Sequence, residues 1–418
     1  MKISQIETIR VEEFPQIIWV QVYTDTGLVG LGETWYAPSV VEAAIHDWFG
    51  PLLTGRDPMA VERHWFDMFR FSDHAGYGGA EQRAISALDI ALWDIRGKAA
   101  GLPVYEMLGG AVRKKIRVYN TCGSYGDIDD GGRVYSNAGD LAKELLDEGM
   151  VAMKTGPTIA LGLETDGQHL SPQDLDLALK PFRQVRDAVG NNMQIANDGY
   201  CWWTLPAAIQ IAQAMEPYEP MWQEDLISHF DVNALVELQQ STSTPVCISE
   251  HLLSRWQHNQ FIETGAAGVV MPDLIWMGGI SETYKVGVLA SAHQVPFAPH
   301  DATGPVNIFA CAQVCMNAPN AMLMEHVRAF HRGWYGRFVD PNLDIRGGFL
   351  HAPQEPGIGT RLRPEVRERS DATVRVSNEP RDIPFDSWKP HPTQSPRMRR
   401  ELQEMHRVRR QAITGGEV

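Results

Sequence analysis

The stretch "EPMWQEDLIS", residues 219–228, carries an apolar run through Pro220, Met221 and Trp222, then breaks off at two acids, Glu224 and Asp225. A short apolar run fits a buried strand, and a carboxylate at the end of such a strand needs a compensating partner. The same pattern lies on either side, where "MQIANDGY" (193–200) stops at Asp198 and "PVCISEHL" (245–252) stops at Glu250. Asp198 to Glu224 and Glu224 to Glu250 are each 26 residues. That distance holds one strand, one helix and two short loops, so the equal spacing indicates repeated βα units.

Working outward, strand candidates lie at 116–122, 150–155, 193–198, 219–224, 245–250, 268–273, 295–300 and 321–326. Amphipathic segments such as "GDLAKELLDEG", "DLDLALKPFRQVRDAV", "DVNALVELQQ" and "SETYKVGVLASAHQ" alternate with them. Eight such units predict an α/β fold, a (β/α)8-type TIM barrel over residues 113–348. Residues 1–112 read as a separate α+β domain. Two alternating runs joined by "DTG" (25–27) suggest an antiparallel hairpin, and helical patterns follow from Val40 to Phe69 and through "AEQRAISALDIALWDIRGKAAG", with Gly101 as a stop. The Pro/Gly-rich return at 349–368 is expected to complete this domain, leaving 369–418 as an exposed extension or oligomer contact.

The 418 residues suffice for a barrel plus a second domain, and 44% hydrophobic with 21% charged residues is a soluble, globular composition. No apolar run approaches the roughly 20 residues that a membrane span needs, and the first residues lack the apolar core of a signal peptide. A cytoplasmic protein is expected, with no membrane partner. The five cysteines show no CxxC spacing and read as buried thiols. A net charge of -15 argues against a nucleic-acid partner and leaves a small anionic substrate open.

In such a barrel the strand C-termini share one face, so Asp198, Glu224 and Glu250 converge. Three carboxylates in a low-dielectric pocket must be protonated or neutralised, and hard oxygen donors favour Mg2+. A lone acid at a strand end is ordinarily a helix N-cap; three at one spacing outweigh that reading. The next two strands end in Asp273 and His300, where the acid can hold the imidazole tautomer and raise its basicity, as a general base requires. Lys154 ends strand two and can favour negative charge developing on a neighbouring carbon acid. Glu325 ends strand eight, either as a protonated donor or as the interior partner of a basic neighbour.

These residues, together with "DTGLVGLGE", "ALDIALWDIRGKAAGLPVYEMLGG", "WQED", "SEH", "PDLIWMGGISE" and "MEH", give the chain a likeness that covers nearly its whole ordered length. It resembles the enolase superfamily, and within it the mandelate racemase group, especially the acid-sugar dehydratases. The resemblance implies a capping domain, a barrel with an incomplete last helix, and Mg2+ on Asp198, Glu224 and Glu250, chelated by the substrate's carboxylate and α-hydroxyl. It further implies His300 paired with Asp273 as base, and Glu325 as the carboxylic residue of strand eight. Cap loops around "ETWYAPS" and "FSDHAGYGG" would close over the substrate, making Trp35, Tyr36, His74 and Tyr77 candidate contacts, with His251 on the barrel side.

Two departures matter. The Lys-x-Lys motif that supplies a second base is here Lys154, Thr155, Gly156, and strand three carries Tyr200 where several dehydratases place a histidine. A two-base racemase is therefore disfavoured. A Mg2+-dependent dehydratase of an aldonate or aldarate is expected, with Tyr200 or His300 protonating the departing hydroxyl. An epimerase or cycloisomerase is the alternative, and a non-catalytic relative a remoter one. A homo-oligomer is expected, and the insertion 157–174 reads either as pocket rim or as subunit contact.

Overall fold

The computed structural model describes residues 1–74, 76, 78–380, 400, 401, 404, 405 and 408. The hairpin signal holds: Ile17–Thr24 and Val29–Trp35 pair antiparallel across the turn at Gly27, and Ile3–Val11 pairs on the far side of Ile17–Thr24. Helix Ala80–Ala100 packs across this sheet. A Cβ on Gly30 or Gly32 would sit 2.0 or 1.9 Å from the carbonyl oxygens of Ala91 and Ala87, so only glycine allows helix and sheet to approach this closely. The helix stops at Gly101 in the left-handed conformation, as its sequence predicts. The helical pattern expected over 40–69 is interrupted instead. Helical turns cover 38–53 and Val61–Ser72, separated at Gly55, which takes φ 85, and at Pro58.

The fourth strand of the sheet is Ala372–Ser377, antiparallel to Ile3–Val11. It falls inside the segment 369–418 read as an extension, so the capping sheet takes in residues beyond the 349–368 return. Its side chains are half-buried or exposed, so no core pattern marked it in the sequence. Its ties are polar: Arg375 to Asp47 at 2.6 Å and Ser377 Oγ to His46 Nδ1 at 2.6 Å. Within 349–368, Phe349–His351 adds to the first barrel strand rather than to the cap. Most of the arm expected beyond residue 380 lies outside the described residues.

Parallel ladders join Lys115–Thr121, Ala152–Thr155, Gln194–Asp198, Gln223–Glu224, Val246–Ile248 and Val269–Val270 in sequence, and Met324–His326 pairs with the other side of Lys115–Thr121. The seventh position has no ladder. Segment 296–300 touches its neighbours through isolated bridges, Val270 to Phe297, Asp273 to His300 and Phe297 to Ala321. Pro296 and Pro299 remove donors from that segment, so a continuous strand over 295–300 is not available to it. Pro220 likewise confines strand four to two residues, with Glu219 left-handed at φ 46 before it.

The expected helices form at Asp130–Asp147, Pro172–Val189, Val232–Gln240 and Gly279–Ala292. The insertion after strand two carries the short helix Ile159–Glu164, and Gly162 and Gly167 lie against Trp202 and Trp203 on the loop after strand three. Tyr119, Trp222, Cys247, Val269, Met271 and Ala298 belong to an apolar plug inside the ring of strands.

Polar contacts seat the cap on the barrel. Glu33 accepts from Trp19 Nε1 at 2.8 Å and from the backbone N–H groups of Val306 and Asn307 that open helix Pro305–Asn317. Thr34 donates to the Ile275 carbonyl at 2.6 Å. Among the described residues no helix is long and apolar enough to cross a membrane. All five cysteines are free; Cys247, Cys311 and Cys315 are buried, and Cys122 and Cys201 are partly exposed.

Candidate active site

Strand register explains why acids 26 residues apart in sequence become neighbours. Asp198 is level with Glu224 across adjacent parallel strands, and Glu224 is level with Cys247, three residues before Glu250. Glu224 is fully buried, and its two oxygens face different partners. One meets Lys154 Nζ in a close ion pair and the other accepts from Trp222 Nε1 at 2.9 Å. Asp225 turns away with φ 42 and accepts from Ser249 Oγ at 2.7 Å. The two acids that end the apolar run thus occupy two layers, the first in the ring and the second behind it.

Lys154 also pairs with Glu325 Oε1 at 2.9 Å. Burial opposes the lysine's charge, but Glu224 and Glu325 together outweigh it and hold the ammonium well above its ordinary range. Burial likewise opposes ionisation of Glu325, yet Lys154 and His300, with hydrogen bonds from Thr121 Oγ1 and the Asp301 backbone N–H, bring it down to about 2. Glu325 is therefore an ionised interior partner of the lysine. The protonated-donor alternative does not fit this environment.

His300 stands across the ring. Its Nδ1 lies 2.6 Å from Asp273 Oδ2 and its Nε2 3.2 Å from Glu250 Oε2. Asp273 is itself fixed, its other oxygen accepting from the Ile275 N–H at 2.9 Å as N-cap of the turn Leu274–Met277. Burial would depress the imidazole, but Glu250, Glu325 and Asp273 raise it well above the usual histidine range. Burial raises Asp198, Glu224 and Glu250, the last to about 7, and each feels its acidic neighbours.

The ring thus holds Asp198, Glu224, Glu250, Asp273 and Glu325 against Lys154 and His300. Burial and mutual repulsion oppose ionisation of Asp198, Glu224 and Glu250, and a hard divalent cation among them would let these carboxylates ionise together. Asp198, Glu224 and Glu250 offer buried carboxylate oxygens of the hard type such an ion takes, although their ligand atoms are not gathered within 4.8 Å of one another. Among the described residues, a different trio, Cys201, Asp225 and His251, has ligand atoms all within 4.8 Å of one another.

The remaining expected residues divide. The Tyr36 and Tyr200 phenols lie near enough to act on each other, bringing cap loop and barrel loop together, and both are partly exposed. His251 lies 6.2 Å ring to ring from Tyr200 and 6.4 Å from Trp276. Trp35 packs 6.4 Å from Trp334 and lends its carbonyl to Arg83. His74 points to solvent, its side chain 82% exposed beside Asp73, and joins none of these contacts. It sits on an exposed turn after helix Val61–Ser72, a position no sequence pattern separates from a loop that folds inward. Tyr77 lies outside the described residues.

Arg83, Trp276 and Asp301 belong to the same neighbourhood and escaped the sequence reading. Asp301 is fully buried with neither side-chain oxygen hydrogen-bonded, and burial with Glu325 and Asp273 nearby raises it well above the carboxylate range. Its place directly after His300 was the available signal. Trp276 packs 5.3 Å from His300. Arg83 occupies a helix whose apolar spacing drew attention to the opposite face.

Two family models cover most of the chain: residues 6–109 match the mandelate racemase / muconate lactonizing enzyme N-terminal domain, and 137–366 match the enolase C-terminal domain-like family. A D-galactonate dehydratase of Variovorax paradoxus is 33% identical over 93% of this chain and 98% of its own length. A D-xylonate dehydratase of Haloferax volcanii is 30% identical over 86% and 87%. Among solved structures, an enolase of the mandelate racemase subgroup from Agrobacterium tumefaciens superposes with a TM-score of 0.83 at 40% identity, covering 90% of this chain and 99% of its own.

Proposed function

We propose that this chain, which belongs to the mandelate racemase/muconate lactonizing enzyme family of the enolase superfamily, is a Mg2+-dependent hydro-lyase that dehydrates a sugar acid to a 2-keto-3-deoxy acid. The observation that carries the reading is the Asp273–His300 pair facing a ring of buried carboxylates. The curated dehydratases among its relatives support the same reaction class. Asp198, Glu224 and Glu250 would hold the metal, which when bound supplies Lewis-acid stabilisation of charge on the substrate's carboxylate.

Asp273 holds the His300 ring through Nδ1, which turns Nε2 to the Glu250 side of the ring. The neighbouring Glu250 carboxylate favours the protonated imidazole; with Glu250 engaged as a metal ligand that pull is relaxed, and Nε2 can take the proton α to the substrate carboxylate, the electron pair left on that carbon forming the enediolate. The pair then moves to make the double bond as the β carbon–oxygen bond breaks. The departing hydroxyl takes a proton from His300 or from the Tyr200 phenol, leaving as water, and the enol tautomerises to the keto acid. Lys154, locked to Glu224 and Glu325, adds fixed positive charge near the developing anion and has no free lone pair with which to act as a second base.

The glycine at 156 argues against the epimerase alternative. Glycine carries no side chain, so that position offers no base for the opposite face. Proton NMR in D2O with Mg2+ and a panel of aldonates and aldarates tests the proposal. New methylene signals at carbon three are expected; α-hydrogen exchange or rearrangement without them would replace the dehydratase by an epimerase or cycloisomerase.

A further inference from the structure

Arg83 projects from the cap helix Ala80–Ala100 onto the aromatic side of the pocket. Its guanidinium carbon stands 4.5 Å from the centroid of Trp276 and 5.6 Å from that of Tyr36. Nη1 donates to the Trp35 carbonyl at 2.9 Å. No carboxylate among the described residues forms an ion pair with it, although Asp273 and Glu250 act on its charge through space. A guanidinium carries five N–H donors in a planar fork suited to a carboxylate, and one backbone carbonyl does not exhaust them.

A second feature of this wall also calls for acceptors. Trp276 is only 4% exposed and its indole N–H has no hydrogen-bond partner among the described residues. His251 Nε2 also makes no hydrogen bond among the described residues, lying 3.7 Å from Glu250 Oε1. A buried indole donor without an acceptor is destabilising unless something supplies one. Trp276 also connects this wall to the reacting end, with its ring 5.3 Å from His300.

We infer that Arg83, with the Trp276 indole N–H beside it, forms a subsite for a second carboxylate at the far end of the substrate, so that the preferred substrates are sugar diacids. The inference rests on the dehydratase reading for the other end of the molecule. The acidic ring opposes a second anionic group, and Arg83 is the cation on this wall that offsets that field. Bidentate pairing with a carboxylate gives the contact both strength and orientation. A monoacid of the same chain length brings a hydroxymethyl group to the same place and leaves the cation without an anionic partner.

The test measures dissociation constants of matched pairs, D-gluconate with D-glucarate and D-galactonate with galactarate, on the Mg2+-loaded full chain by calorimetry. The diacid of at least one pair is expected to bind about tenfold more tightly, equivalent to ~1.4 kcal/mol. Arg83→Met keeps a long side chain over Trp276, and in it that ratio is expected to collapse toward one, with Arg83→Lys between. Equal affinity for both members of each pair, failure of every diacid to bind, or an unchanged ratio in Arg83→Met would each overturn the subsite. Equal weakening of both members in Arg83→Met, with the ratio kept, would make Arg83 only a staple for the Trp35 loop. Product formation on the wild-type enzyme, followed separately by NMR, reports on the dehydratase reading, so either can fail without the other.

Discussion

Lys154, Glu224, Glu325 and His300 on the pocket floor are almost completely buried, and each lies against a charged neighbour. Tyr36, Arg83 and Tyr200 on the wall remain partly open, and their contacts are aromatic faces, a phenol pair and one backbone carbonyl. The floor comes from strand ends of a single barrel, where parallel register places side chains at fixed heights. The wall is assembled from the cap and barrel loops. Chemistry that needs positioned charge belongs on the floor, while discrimination between acids can change on the wall with little disturbance to the charges below.

Substitutions should separate the two regions. The largest effect is expected on the floor, where His300→Asn should lower turnover by about 10³-fold or more while leaving Mg2+ binding measurable by calorimetry. Substantial residual turnover would remove His300 as the base. Glu224→Gln should weaken Mg2+ affinity by about tenfold or more, because it removes an anionic oxygen donor and releases Lys154. Unchanged affinity would place the metal elsewhere.

Lys154→Met should reduce the unfolding free energy by about 3–5 kcal/mol in metal-free protein, since it leaves buried carboxylates without their cation. The deficit has a pH signature. Glu325 is depressed to about 2, so the stability it contributes is complete above the unfolded carboxylate value of about 4.3 and is lost as pH falls through about 2. Denaturant titrations of wild type and variant should therefore converge between those values; a constant gap would mean that the lysine acts through packing alone.

Smaller effects are expected where cap and barrel meet. Glu33→Ala strips three N–H donors of their acceptor and should lower stability by about 1–3 kcal/mol, read by chemical denaturation. Tyr36→Phe removes a single hydroxyl contact to Tyr200 and should raise KM by about two- to tenfold with little change in kcat, corresponding to about 0.5–1.5 kcal/mol. An equal fall in kcat would move this pair from the wall into the chemistry.

Periodic features were legible in the sequence. Three unit ends 26 residues apart located Asp198, Glu224 and Glu250, and the two following units located Asp273 and His300, because a strand, a helix and their loops impose a spacing that survives in the chain even where the strand itself is short or absent. The hairpin at 25–27 and the stop at Gly101 were readable for the same local reason. Ala372–Ser377 was not legible: it is held to the cap by edge pairing and polar contacts, without a buried face to set an apolar rhythm. His74 was misplaced because "FSDHAGYGG" does not encode whether a turn folds inward.

The sequence by itself determined the repeated βα architecture, the capping helix, and which acids and which histidine lie at or just beyond the C-terminal end of successive units, since these follow from local periodicity and chain length; the strands themselves stop at Ile248 and Val270, and His300 lies in a segment without a ladder. Only the tertiary structure decided that Glu325 pairs with Lys154, that Asp225 turns out of the ring, that Asp301 is buried without a hydrogen-bonding partner for its carboxyl oxygens, and that Arg83 lies over Trp276. Each of those outcomes depends on distances between side chains far apart in sequence, and the energies of charge pairing and desolvation are set by those distances and by burial, which no local pattern specifies.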